Sequence, residues 1–151
     1  MTESMERGAV VSCLNDLIKI SRDGENGFRQ CAEKAHDPKL KDVFFARAND
    51  CRSAIHELKR YVEQYGGSPE KSGSAVGAVH RVWLTIREGV THSDASILAE
   101  CERGEDRAVA AYRRASEKPL PSDVHGVVQE QLQGVQRNHD LIKALRTLYK
   151  D

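Results

Sequence analysis

The sequence predicts an all-α fold, an antiparallel up-down-up-down four-helix bundle with its third helix interrupted near Gly89–Asp94, on three observations. Apolar residues recur at three- and four-residue spacing along most of the chain. Breakers at Asp37-Pro38, Gly66-Gly67-Ser68-Pro69 and Leu120-Pro121 cut it into four long stretches. No segment alternates β-branched and polar residues as a strand would. Four stretches of roughly 25–40 residues joined by short loops favour antiparallel neighbours. Helices this long draw their stability from an apolar face packed on a partner rather than from propensity.

The first stretch runs from about Glu3 to His36 and carries Val10, Leu14, Leu17, Ile18, Ser21, Glu25, Phe28, Ala32 and Ala35 on one face. Asp23-Gly24 and Gly27 weaken its interior, which reads either as a tolerated kink or as the close approach of another helix. Asp37 then serves as N-cap and Pro38 as first residue of the second helix. That helix has Phe44, Ala48, Cys51, Ile55, Leu58, Val62 and Tyr65 as its stripe, and Gly66-Gly67 ends it.

After a polar loop, the third helical region comes in two parts. Ala75 to Glu88 carries Val76, Val79, His80, Trp83 and Ile86; beyond a weak zone at Gly89–Asp94, Ser93 or Asp94 caps a restart that reaches about Lys118. Leu120-Pro121-Ser122-Asp123 turns the chain into the last helix, which ends near Tyr149 with Val128, Leu132, Val135, His139 and Ile142 as its stripe.

The chain has 151 residues, which predicts one domain, 1–151, long enough to bury a core. Lys+Arg and Asp+Glu both number 23, so no basic excess points to nucleic acid, and aromatics at 5% leave little for base stacking. No apolar run approaches the roughly 20 residues of a membrane span, and Met1–Arg7 lacks the order of a signal peptide, so a cytoplasmic location without membrane contact is expected. Cys13, Cys31, Cys51 and Cys101 are far apart in sequence, with no Cys-x-x-Cys, and read as small buried hydrophobes. No Gly-x-Ser-x-Gly elbow and no glycine-rich phosphate loop nominates a catalytic or nucleotide-binding residue.

The informative anomaly lies in the third helix, whose stripe Leu98, Glu102, Glu105, Val109, Tyr112 puts two carboxylates where apolar residues belong. Burying them is costly unless a cation meets them. His139 sits on the apolar stripe of the last helix, and Glu25 on that of the first. Two readings stay open. Glu25, Glu102, Glu105 and His139 form an oxygen and imidazole ligand set for Fe²⁺, Mn²⁺ or Zn²⁺. Alternatively, the glutamates belong to a buried polar network with Arg52, Arg81 or His139. Tyr112 reads as a core tyrosine with one polar partner, His56 as a solvated flank residue, and His80 and Trp83 as packing residues. His36, His92 and His125 fall at helix ends and carry no signal.

Asp23-Gly24 with Gly27-Phe28, Gly66-Gly67-x-Pro69, His80-Arg81-x-Trp83, Glu102-Arg103-Gly104-Glu105-Asp106, Tyr112, Leu120-Pro121 and His139-Asp140 together resemble an uncharacterised bacterial family of ferritin-like four-helix bundles, of the DUF2383 type. The resemblance implies a ferritin-like bundle and no established activity. Proteins of the wider ferritin-like class place a glutamate on two helices and Glu-x-x-His on the other two. Glu25 is similar to the first of these glutamates, and Glu102 or Glu105 to that of the third helix. The pattern fails where Ser53 precedes His56 and Gln136 precedes His139, so both bridging glutamates are absent. Metal handling or stress protection with iron or manganese is one expectation; a structural or interaction bundle that has lost its di-iron site is the other. With Trp83 and Phe45 as apolar edge residues, a homo-oligomer is expected.

Overall fold

The computed structural model describes residues 5–71 and 92–149. They form four helices, α1 (Arg7–Lys34), α2 (Pro38–Gln64), α3 (Asp94–Ser116) and α4 (Ser122–Leu148), and no strand is found among the described residues. The all-α four-helix expectation is met. The break at Gly89–Thr91 and the helical segment 75–88, with His80, Arg81 and Trp83, lie outside the described residues.

The boundaries follow local chemistry. Asp37 caps α2 by accepting from the Lys39 N–H at 2.9 Å, with Pro38 in the first turn. Ser93 caps α3 by accepting from the Ser96 N–H at 3.1 Å. At the end of α2, Gly66 takes a φ of 82°, a left-handed conformation that glycine adopts without a Cβ penalty. The Gly67 N–H then returns to the Val62 carbonyl at 2.9 Å.

Contacts at the helix ends set the directions. The α1–α2 turn meets the start of α3, where the Asp94 carboxylate accepts from the His36 and Asp37 N–H groups at 2.7 and 3.1 Å. The Tyr149 hydroxyl, just past α4, donates to Asp37 at the same end. At the opposite end, Tyr65 and Gln64 of the α2 terminus donate to Asp123 at the start of α4, and the Met5 N–H donates to the Pro119 carbonyl. α3 therefore runs parallel to α2. The order is up-down-down-up, where the sequence reading had up-down-up-down. The difference arises because α2 ends at one end of the bundle and α3 begins at the other, whereas a short loop would join neighbouring ends.

Two hairpins result, α1–α2 and α3–α4, joined chiefly where α1 packs on α3; α2 and α4 stand further apart and meet through side chains. That arrangement leaves α2 and α3 diagonal to each other. The core divides into two apolar clusters along the bundle axis. One contains Leu14, Leu17, Leu58, Val62, Tyr112 and Val128; the other contains Phe28, Leu40, Phe44, Ile97, Leu98 and Ile142. No helix among the described residues is long and apolar enough to cross a membrane.

Two glycines separate space from strain. A Cβ at Gly67 would lie 2.4 Å from Val11 Cγ1, whereas one at Gly126, on the exposed face of α4, meets nothing within 4 Å. Gly67→Ala is expected to destabilise the protein by about 1–3 kcal/mol through overpacking. Gly126→Ala is expected to stabilise it by about 0.5–1 kcal/mol by removing glycine's helix penalty. Urea unfolding midpoints of the two variants check the opposite signs.

Candidate functional site

Polar residues concentrate where the two apolar clusters meet. α1 passes through this level at Ser21–Glu25, α2 at Arg47–Ala54, α3 at Gly104 and Glu105, and α4 at Gln131–His139. Gly24 permits the close approach of α2, because a Cβ there would sit 2.9 Å from Cys51 Sγ. The Asp23-Gly24 signal thus marks helix contact.

Glu105 is only 1% exposed and Arg47 only 7%. Arg47 Nε donates to Glu105 Oε2 at 3.0 Å and Nη2 to Oε1 at 2.9 Å, a bidentate pair across the bundle diagonal. The guanidinium also lies 5.4 Å from the centroid of the Phe28 ring, giving it an apolar cover. Burial works against the charge on Arg47, but Cys51 and Glu105 outweigh it and hold its pKa above the ordinary arginine value. Burial lifts the Glu105 carboxyl above its usual range, opposed by the Arg47 charge and its hydrogen bonds. A buried carboxylate persists here because the chain brings its own cation to it.

A second polar chain links all four helices. Ser21 of α1 and the Tyr112 hydroxyl of α3 are 3.2 Å apart; Tyr112 donates to Gln131 Oε1 of α4 at 2.7 Å; Gln131 Nε2 donates to Glu57 of α2 at 2.8 Å. Burial raises the Tyr112 pKa, so the hydroxyl stays protonated as a donor. The expectation of a core tyrosine with a polar partner is met, with two partners in place of one. Both arrangements line a cavity of about 600 Å³ whose wall includes Gly24, Ala54, Gly104 and Gly134.

The candidate ligands are distributed over separate pairs. Glu25 accepts from Arg29 Nη2, one turn on, at 2.9 Å. Glu102 accepts from Arg146 Nη1 at 3.1 Å. His139 Nε2 lies 2.5 Å from Asp106 Oδ1, and Nδ1 lies 3.4 Å from Asp140 Oδ1. Glu105 belongs to Arg47. No group of three or more His, Cys, Asp or Glu side chains able to hold a metal ion is gathered among the described residues. Both Glu105 oxygens already serve a guanidinium, so the donor set as paired does not fit a divalent ion.

Register explains part of the distribution. On α3 the inward positions are Leu98, Cys101, Glu105, Ala108 and Tyr112, while Glu102 and Val109 fall on the flank. Sequence reasoning missed Arg47 as the partner of Glu105, nominating Arg52, Arg81 or His139. Arg52 is exposed, and Arg81 lies outside the described residues. The signal was present: Arg47 stands between Phe44 and Cys51 at helical spacing, a cation on the inward stripe of α2. His56 is exposed as expected. His36, set aside at the sequence level, pairs its ring with the His92 carbonyl at 2.8 Å.

All four cysteines are buried and free. Cys101 Sγ donates to Cys31 Sγ at 3.2 Å, and burial, then that hydrogen bond, raises the Cys101 thiol well above its ordinary pKa. Burial likewise pushes Cys51 up to about 12.

The sequence of residues 9–118 matches the family described as Domain of unknown function (DUF2383). No curated protein matches the chain. Among solved structures, a two-domain protein from Anabaena variabilis containing DJ-1/ThiJ/PfpI-like and ferritin-like domains is similar with a TM-score of 0.78 at 12% identity. The similarity covers 96% of this chain and 38% of that one. A mutant of Dps1 from Mycobacterium smegmatis has a TM-score of 0.75 at 13% identity, covering 96% of this chain and 99% of its own. The tetragonal form of Dps from the same organism gives 0.75 at 13%, covering 95% and 91%. At these identities the likeness establishes the ferritin-like fold alone.

Two predictions follow from this level of the bundle. Tyr112→Phe removes the hydroxyl between Ser21 and Gln131 and is expected to lower stability by about 1–2 kcal/mol, read from the urea midpoint at unchanged slope. Burial of the His139 ring lowers its pKa, but its hydrogen bonds to Asp106 and Asp140 outweigh this and the net direction is up. A raised folded-state value means the stabilisation is complete below the unfolded value of about 6.5 and fades as pH rises through the folded value. His139→Gln should therefore cost more stability at about pH 5.5 than at about pH 8.5, measured by thermal unfolding at both.

Proposed function

We propose that this chain, which belongs to the family described as Domain of unknown function (DUF2383), is a ferritin-like bundle that works without a metal, as a non-enzymatic structural and interaction protein. One observation carries the reading: Glu25, Glu102 and Glu105 are each paired with an arginine of the chain itself, and His139 with Asp106. The Arg47 guanidinium takes the place beside Glu105 that a cation would need. Ser53 and Gln136, where bridging carboxylates are expected, are neutral and support the same reading.

An interaction role draws on the outer surface. Phe45, Leu141 and Leu148 are large apolar side chains left exposed, and they give a self-associating bundle apolar material for a homo-oligomeric contact. The proposal places the protein in the cytoplasm, free of nucleic acid and membrane, in keeping with its balanced charge.

The rival reading is a divalent-metal protein in metal handling or stress, with iron or manganese on the same four residues, for which Arg47 must leave Glu105. Glu105→Gln separates the two. Without a metal, the variant leaves Arg47 buried with a poorer partner and loses about 3 kcal/mol. The loss should be the same with chelator and with added Mn²⁺ or Fe²⁺, and wild type should show no metal-dependent melting shift. A wild-type shift on metal addition that Glu105→Gln abolishes would overturn the reading in favour of the rival.

A further inference from the structure

The two sulfurs that meet in the core, Cys31 on α1 and Cys101 on α3, have no part in the polar layer. Both side chains are fully buried, at 0% exposure, in the apolar cluster that also holds Phe28, Phe44 and Ile97. Their Sγ atoms are 3.2 Å apart. That distance is a hydrogen-bond contact, and a modest approach of the two sulfurs would bring them to covalent range. Cys13 lies in the other apolar cluster. The sequence separation of 70 makes this a contact between hairpins rather than within one.

We propose that Cys31 and Cys101 are a dithiol modification site, closed to an intramolecular disulfide by a small hydroperoxide that reaches the core by local opening of the bundle. One thiol, as its thiolate, displaces hydroxide from the peroxide and becomes a sulfenic acid. The second sulfur displaces that hydroxyl as water and forms the S–S bond. Two thiols give up two electrons and two protons, and one hydrogen peroxide becomes two waters. The reaction is slow, because both sulfurs are buried from the oxidant and burial holds the Cys101 thiol protonated. The product is directed, since each sulfur's neighbour is already in place. The bond ties α1–α2 to α3–α4 at the end where the α1–α2 turn meets Asp94. Closing so long a loop restricts the unfolded chain and raises stability.

The test uses the full chain under non-denaturing conditions with hydrogen peroxide, followed by denaturation, alkylation and peptide mapping. Oxidation of Met5 reports that the oxidant acted. The expected result is a Cys31–Cys101 linked peptide as the main product, with Cys13 and Cys51 still alkylated and the link reversed by dithiothreitol. The melting temperature should rise by several degrees on oxidation, and Cys31→Ser should abolish that rise. All four cysteines remaining alkylatable after Met5 is oxidised would overturn the proposal. So would a link through Cys13 or Cys51, or sulfinic acid at Cys31 or Cys101 without a link. The wild-type mapping decides the question even where Cys31→Ser fails to fold.

Discussion

The Arg47–Glu105 pair is the constraint around which the bundle is arranged. α2 and α3 are diagonal, so a short side chain on either cannot reach the other, and arginine supplies both the length and the fork that a carboxylate accepts from. The cost of burying the two charges is offset only while both hydrogen bonds hold, which favours one relative placement of the hairpins over others. Apolar clusters on either side of the pair are less demanding, since leucines and valines pack in more than one register.

Much of the architecture was legible in the sequence because its punctuation is chemical. Asp37-Pro38, Gly66-Gly67 and Ser93 act as caps through the hydrogen bonds expected of them, and the helix boundaries fall within a few residues of the breakers. The direction of α3 was not legible. Spacing along a helix says which face is buried but nothing of which way the next helix runs, and that depended on end contacts from Asp94 and Asp123.

The site was half legible. Glu105 stood out because a carboxylate on an apolar stripe demands a partner, and the structure places it at 1% exposure. Glu102 shared the stripe by periodicity alone, and a helical phase that favours Cys101 and Ala108 leaves it at the rim with Arg146. The partner was harder to see. Arg52, Arg81 and His139 each met a loose sequence argument, whereas the inward stripe of α2, Phe44, Arg47 and Cys51, points to Arg47. The network through Ser21, Tyr112, Gln131 and Glu57 draws one residue from each helix, a pattern invisible to any analysis that takes helices one at a time.

The spacing between α2 and α4 leaves a seam open to substitution. Ser53, Ala54 and Gly134 line the cavity along that seam, and a Cβ at Gly134 would meet only Arg137 Nη2, at 3.7 Å. A larger residue at Gly134 would therefore enter open space, provided that the Gln131 bridge to Glu57 and the Ala54 carbonyl is left in place. The shape of the cavity can thus change at one wall while both apolar clusters keep their packing.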